Sequence, residues 1–176
     1  MPFYLFRFAQ TSLDTIAQAE GLTKGAIYHH FKNNEQIFEA VITAVLKDAI
    51  QTIEHSMGSS ADHTSKAAQA IDSFINLCLS PDYQRIVLQD GPSVLGWEKW
   101  KTLEKQYTYP FVEHLVRELQ NGRDYSSLTL EITTRLIIAC LIEIAFMVME
   151  AESKQETRAK AERFLLNIMN SVREEL

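Results

Sequence analysis

The amino-acid sequence predicts an all-α protein, and three features support that fold class. Apolar residues recur at helical spacing over long stretches, and none of these stretches shows the strict alternation of a half-buried strand. Only six glycines and four prolines interrupt the 176 residues, which favours long helices over a fold rich in turns. Apolar residues make up 46% of the chain and charged residues 23%, as in globular proteins that bury a core without disulfides or metals.

The first part of the chain predicts two short helices and one long helix. The first short helix spans residues 13–19 and ends at Gly21, and Thr23 caps the second, which spans residues 24–31. Residues 33–34 break the second helix and start the third. The apolar residues of the third helix keep helical period for about five turns.

The rest of the chain predicts further helices separated by turns. In order, these segments are a linker at 57–62, helices at 64–79 and 82–88, a turn at 90–93, a long helix ending near 119, and two last helices at 128–151 and 156–172. Pro110 is expected to bend the long helix, because proline removes a backbone donor and clashes with the preceding turn. The helix at 128–151 is apolar over much of its circumference, whereas the last helix has a narrow apolar stripe. These two helices suit a four-helix bundle formed with a second copy of the chain.

Charge and motif content restrict the function classes. The net charge of −6 disfavours a general nucleic-acid binder, although residues 22–33 contain two lysines, two histidines and no acid. The histidines are scattered and no HExxH, GxSxG or glycine-rich phosphate loop occurs, so no catalytic residue, cofactor or metal is expected. No apolar run approaches the roughly 18 residues of a membrane span, and the N-terminus lacks the basic region and the small-residue cleavage site of a signal peptide, so we expect a cytoplasmic protein with no membrane partner. Cys78 and Cys140 are expected to be buried thiols.

The residues before position 32 meet the requirements of a helix-turn-helix. Ala17 is small where the second helix crosses the first, Gly21 opens the turn, and Ile27 fills the angle between the helices. Each of these is weak evidence alone. Together with the Thr23 cap and an acid-free second helix, they indicate a helix-turn-helix.

The run from Thr11 to Val41 resembles the DNA-binding segment of the TetR family of bacterial regulators. The matching features are Ile16-Ala17, Gly21, Thr23-Lys24-Gly25, Tyr28, His30-Phe31 and Glu35. The resemblance implies a helix-turn-helix domain at 1–47 that binds DNA, followed by a helical domain at 48–176 that binds an effector and dimerises.

Two departures from the family pattern concern DNA binding. Ten residues precede Thr11, where the family has a full helix, so the first helix is expected to be largely missing. A wrongly assigned start or a shortened chain is an equal explanation. Asn34 stands where the family commonly has lysine, which removes one phosphate contact.

The resemblance also implies which residues contact DNA. Lys24, Gly25 and Ala26 begin the recognition helix, where side chains meet base edges in the major groove. Tyr28, His29 and Lys32 bind phosphates on this interpretation, and Thr11 and Thr23 complete the DNA-binding set. His30 is either a core-facing histidine or a DNA contact, and Phe31 belongs to the core.

In such regulators a pocket in the C-terminal domain binds a small molecule. Aromatic side chains with a few polar groups are typical of such a pocket, and plain core packing is the alternative for each of them. The candidate effector-binding residues are Phe74, Cys78, Trp97, Trp100, Tyr107, Phe111, His114, Glu143 and Met147. Glu143 stands out because a carboxylate in an apolar helix needs a partner, such as His114, water or the ligand.

The sequence therefore predicts a ligand-responsive transcription regulator, a repressor by the family's habit. It binds palindromic double-stranded operator DNA as a homodimer formed through the last two helices, and a small-molecule effector releases it. The alternative is a ligand-binding, dimerising helical protein that has lost DNA binding together with its first helix.

Overall fold

The computed structural model describes residues 17–18, 21, 23–58, 62–119 and 126–175. In chain order the helices are α1 (Lys24–His30), α2 (Asn34–Met57), α3 (His63–Leu79), α4 (Pro81–Tyr83), a π-helical segment (Gln84–Asp90), α5 (Gly91–Leu95), α6 (Trp97–Leu119), α7 (Ser127–Glu150) and α8 (Lys154–Glu175). Ala17 and Gln18 are also helical. These ranges contain no strand, and the all-α prediction is confirmed.

Local side-chain signals specify where α1 and α2 begin. The Thr23 hydroxyl accepts a hydrogen bond from the backbone N–H of Ala26 at 3.2 Å, which caps α1 as predicted. The Asn33 side-chain oxygen caps α2 by accepting from the backbone N–H of Gln36 at 2.9 Å. Gly21, before α1, has a φ of +65°, a left-handed conformation that costs glycine no steric strain. The turn and both helix starts follow from Gly21, Thr23 and Asn33.

A small apolar core joins the N-terminal elements. Ala17, Ile27 and Ile37 are buried together, and Phe31 and Val41 pack against them from the side. Ala17 and Ile27 thus occupy the positions that the helix-turn-helix pattern requires of them. The cluster fixes the orientation of α1 relative to α2.

The larger core lies between α2, α3, the π-helical segment, α6, α7 and α8. Its most completely buried members are Ile42, Ile75, Cys78, Val87, Trp100 and Val148. Helix α2 belongs to both cores, since Ile37 packs with α1 and Ile42 with the larger domain. The expected division between residues 47 and 48 therefore falls inside one continuous helix.

Two sequence expectations about the middle of the chain were wrong. Residues 90–93 form no turn, because the π-helical segment runs to Asp90 and α5 begins at Gly91. Pro92 lies in the first turn of α5, where its missing N–H costs no hydrogen bond, so Gly-Pro starts a helix here. Cys140 is only half-buried in α7, whereas Cys78 is buried as expected.

Helix α7 corrects the expectation that no segment could span a membrane. Its best 18-residue window has a mean hydropathy of 2.1, and its length and composition alone would allow it to cross a bilayer. Isolated threonines and charged residues interrupt its apolar run, but the average over the window remains high. One such helix is weak evidence for a span, because core helices of soluble proteins pass the same test. Only 33% of the window is buried within the chain, so much of α7 is left uncovered.

Gly91 is a point of very close packing. A Cβ atom at this position would lie 2.7 Å from Cδ1 of Trp100 and 2.9 Å from Cδ1 of Ile42. Trp100 is held in place because its Nε1–H donates a hydrogen bond to the carbonyl of Val87 at 2.9 Å. We expect Gly91→Ala to lower the free energy of unfolding by about 1–3 kcal/mol, measured by urea denaturation followed by circular dichroism.

Gly25→Ala is the matched control for this prediction. Gly25 is helical and exposed, and apart from its chain neighbours and its own helix backbone no atom of the described residues lies within 4 Å of the position its Cβ would take. Alanine should therefore leave stability unchanged or raise it by up to about 1 kcal/mol through its helix propensity. Equal unfolding free energies for the two variants would show that Gly91 is not tightly packed.

Candidate nucleic-acid interface and ligand cavity

Helix α1 and its two ends present an exposed surface. The described residues of the predicted DNA-binding set all lie on it: Thr23, Gly25, Ala26, Tyr28, His29 and Lys32. Thr11 and the side chain of Lys24 lie outside the described part of the chain. Glycine and alanine at the start of α1 leave its backbone accessible, and the residues from Tyr28 to Lys32 provide hydroxyl, imidazole and ammonium groups. Such a surface has donors for phosphates and room for a close approach to a groove.

The sequence left two alternatives for His30, a core-facing histidine or a DNA contact, and the structure excludes the first. It is exposed, and its ring packs edge-on against that of His29 with the centroids 5.1 Å apart. The interpretation as a core-facing histidine was wrong, because the inner side of α1 is occupied by Ile27. Phe31 is half-buried against the small N-terminal core.

The junction between α1 and α2 is held by a reciprocal pair of hydrogen bonds. The backbone N–H of Gln36 donates to the Asn33 side chain, and the Gln36 side-chain oxygen accepts from the backbone N–H of Lys32 at 2.8 Å. This arrangement satisfies two backbone donors at once. It leaves α1 little freedom to move independently of α2.

An ion-pair cluster joins the start of α2 to α6. The Lys99 ammonium lies 2.7 Å from a carboxylate oxygen of Glu39 and 2.9 Å from one of Glu35. Hydrogen bonds to Glu39 and then Glu35 raise the pKa of Lys99. All three side chains are partly exposed, so the cluster contributes little to stability. The cluster matters because of where it lies: Lys99 directly precedes the buried Trp100 in the sequence, so the pair with α2 is next to a core residue of α6.

A cavity of about 80 Å³ lies inside the larger domain, between α2, α3, α6, α7 and α8. Its wall is almost entirely apolar and includes Ile53, Phe74, Trp100, Phe111, Leu115 and Leu141. The polar side chains in the wall belong to Tyr83, Glu104 and Thr108. An apolar cavity with a few polar groups is the usual form of a small-molecule site.

The structure brings three of the nine predicted effector residues together in this wall: Phe74, Trp100 and Phe111. Cys78 is fully buried in the core but does not line the cavity. Tyr107 is half-buried outside the cavity, with the Lys47 ammonium 5.3 Å from its ring centre.

The other four predicted effector residues are exposed and face away from the cavity: Trp97, His114, Glu143 and Met147. His114 lies 3.8 Å from the Glu118 carboxylate on the next turn of α6. Glu143 is exposed, so the expectation that its carboxylate is buried and needs a partner was wrong. One side of α7 is uncovered in the chain, and Glu143 lies on that side.

Glu104 is the cavity residue that the sequence analysis missed. It lies one turn after Trp100 and one turn before Thr108, so four-residue spacing places all three on the same side of α6. This four-residue spacing is the sequence feature from which Glu104 could have been predicted as a cavity residue. Burial raises the pKa of Glu104 to about 7, while the nearby Lys101 ammonium acts in the opposite direction.

An exposed apolar face lies on α7 and α8. Its large members are Leu128, Ile132, Leu136 and Met147 on α7 and Phe164 on α8. The first three follow one another at intervals of four residues and so share one side of the helix. Large apolar patches are uncommon on the surface of monomeric proteins, and they occur at protein contacts.

Comparison with known proteins gives consistent matches over both parts of the chain. Residues 6–41 match the family model described as bacterial regulatory proteins, tetR family, and residues 64–172 match the one described as tetracyclin repressor-like, C-terminal domain. The TetC protein of transposon Tn10 from Escherichia coli is 22% identical over 161 residues, which cover 90% of this chain and 78% of that protein.

Solved structures share the fold. A TetR-family transcriptional regulator from Pectobacterium atrosepticum has a TM-score of 0.72 at 23% identity, over 94% of this chain and 84% of that one. The regulator FadR from Bacillus subtilis, in complex with stearoyl-CoA, has a TM-score of 0.64 at 19% identity, over 96% and 90%. At these identities the likeness concerns the arrangement of helices.

Proposed function

Because the chain belongs to the TetR family and is a DNA-binding transcription regulator, we propose that it is a repressor controlled by a small molecule. It binds a palindromic operator as a homodimer in the cytoplasm, and it leaves the DNA when an effector occupies the cavity. The observation that carries this proposal is the exposed, acid-free surface of α1 beside a rigid junction with α2.

The surface of α1 divides into two kinds of contact. Gly25 and Ala26 lie at the start of the helix, where a recognition helix meets base edges in the major groove. Tyr28, His29 and Lys32 contact phosphates, which orient the protein without reading sequence. Lys24 and Thr23 belong to the same surface by their positions at the helix start.

Dimerisation follows from the apolar face on α7 and α8. A two-fold axis beside this face would cover Leu128, Ile132 and Leu136 with the same residues of a second copy. Glu143, which is exposed on the same side of α7, would lie at the solvent-accessible edge of that contact. The second copy also supplies a second recognition helix, so that the two α1 helices read the two halves of a palindrome.

Effector binding reaches the DNA surface through α6. Trp100 lines the cavity, and the preceding residue, Lys99, holds Glu35 and Glu39 at the start of α2. A ligand that displaces α6 therefore displaces the start of α2, and α1 moves with it because of the junction described above. By linkage, a ligand that favours this displaced arrangement weakens operator binding, and operator DNA weakens ligand binding equally.

Fluorescence anisotropy with labelled DNA from upstream of the protein's own gene tests the proposal. We expect saturable binding that outcompetes random DNA and weakens as salt concentration rises. Gly25→Glu should reduce the affinity by at least about tenfold, because a carboxylate is brought against the DNA charge at the base-contact surface.

Gln106→Glu provides the matched control, since it adds the same charge at an exposed position on α6. It should bind the operator almost as tightly as the unchanged protein. An equal loss of affinity in both variants would mean that α1 does not read the DNA. A folded dimer that binds no DNA at any salt concentration would contradict the proposed function.

A further inference from the structure

The polar groups of the cavity are gathered in one place. Glu104 and Thr108 are one turn apart on α6, and the hydroxyl of Tyr83 is close enough to Glu104 for the carboxylate to contribute to raising the pKa of Tyr83, after burial and Cys78. The remaining lining is apolar, with aromatic rings from Phe74, Trp100 and Phe111. The cavity thus has one polar corner and a large apolar remainder.

Glu104 in this corner has no hydrogen bond or ion pair with any other residue that the structure describes. A carboxylate removed from water without such a partner is unfavourable, and the raised pKa of Glu104 has burial as its main cause. In a purely structural cavity, leucine or glutamine would fill this position with a smaller free-energy cost of desolvation. Unpartnered ionisable groups aimed into a cavity are characteristic of binding sites.

The charges around the cavity select the kind of ligand. No lysine, arginine or histidine lines the described wall, so an anionic group would face Glu104 without a compensating cation. A cationic group gains both a charge-assisted hydrogen bond to Glu104 and the attraction of the neighbouring aromatic faces. The volume of about 80 Å³ is smaller than the roughly 150 Å³ of an engineered cavity that holds benzene, so a compact molecule is required.

A surface groove between α6 and α7 offers a route to this corner. Glu104 and Ile142 line both the groove and the cavity, so the two meet at the polar corner. The groove carries Lys101, Lys105, Arg135 and Glu98, and Arg135 is paired with Glu131 at 2.6 Å. These cations lie outside the cavity wall. An anionic head group that they attract would therefore bind in the groove and not in the cavity.

On the premise of the proposed function, we propose that the effector is a compact apolar amine whose ammonium group is bound by Glu104 and whose apolar body fills the cavity. Tyr83 and Thr108 supply further hydrogen-bonding oxygens beside the ammonium. The class excludes carboxylates and acyl-CoA thioesters, in contrast to the stearoyl-CoA held by FadR from Bacillus subtilis.

Isothermal titration of the full chain with isopropylamine, isopropanol and isobutyrate tests this class. The three molecules share an isopropyl group, which is smaller than benzene, and differ in head-group charge. At about pH 8, where Glu104 is ionised, isopropylamine should bind about tenfold or more tightly than isopropanol, and isobutyrate should not bind. Glu104→Gln is nearly isosteric and should bind the amine and the alcohol equally.

Glu54→Gln removes the same charge from an exposed position on α2 and should keep the preference for the amine. In the unchanged protein, isopropylamine affinity should fall about tenfold from about pH 8 to about pH 6, as Glu104 is protonated. The ionisable groups facing Glu104 are Lys101 and Lys105 on α6, Tyr83 on α4 and Arg135 on α7.

Three outcomes would overturn the proposal: equal binding of amine and alcohol, preferred binding of isobutyrate, or a preference for the amine that survives in Glu104→Gln. Binding of none of the three molecules would also overturn it, since the cavity would then not take a compact amine. These titrations contain no DNA, so operator binding by the ligand-free chain tests the proposed function separately.

Discussion

Leu136→Glu should convert the protein into a monomer with almost no operator affinity. Leu136 is 62% exposed at the centre of the apolar face, with Leu128 and Ile132 on the same side of α7. Burying a leucine contributes about 1.5–3 kcal/mol to the free energy of association. Both copies lose this contribution in a two-fold interface, so the dimerisation constant should fall by about a thousandfold or more. Sedimentation at micromolar concentration measures the change in mass, and anisotropy measures the accompanying loss of DNA binding.

Ala44→Glu controls for the added charge, because Ala44 is exposed on α2 and away from the apolar face. It should remain dimeric and bind operator DNA. A Leu136→Glu protein that sediments as a dimer would show that this face is not the interface. A monomer that still binds the operator at full affinity would show that two recognition helices are not needed.

Local chemistry explains why the N-terminal part of the fold was predictable. Gly21, Thr23 and Asn33 each act within four residues of their own position, through a backbone conformation or a cap. Ala17 and Ile27 meet across a turn of fixed geometry, so their contact could also be inferred from spacing. The error at residues 90–93 arose because Gly-Pro is compatible with a turn or with a helix start. The choice here depends on Trp100, which packs where a side chain at Gly91 would be.

The cavity was predicted less well because helical spacing shows which residues share a side but not which neighbour covers that side. Glu143 and Glu104 both lie in helices with apolar stripes. Only the packing shows that α7 leaves Glu143 exposed while α2, α3 and α8 close over the side of α6 that carries Glu104. Trp97 and Trp100 differ in the same way, since three residues along α6 separate a surface ring from a buried one.

Trp100→Ala should have the largest effect on stability of any single change in the larger core. Trp100 is 1% exposed, donates its Nε1–H to the Val87 carbonyl and packs against Gly91. Its loss creates a void and leaves a buried carbonyl in the π-helical segment without its donor. We expect the free energy of unfolding to fall by about 3–5 kcal/mol, a large part of the roughly 5–15 kcal/mol that domains possess.

Urea denaturation followed by circular dichroism measures this loss, at equal protein concentration because the proposed dimerisation would add to stability. Trp97→Ala removes the same side chain from a position 48% exposed and should cost less than about 1 kcal/mol. Trp100→Phe keeps an aromatic ring but no donor, so it should fall between the two. The ring centroids of Trp97 and Trp100 lie 4.9 Å apart. If Trp97→Ala is as damaging as Trp100→Ala, the two rings stabilise the domain as a unit, and the hydrogen bond to Val87 is not what distinguishes the two positions.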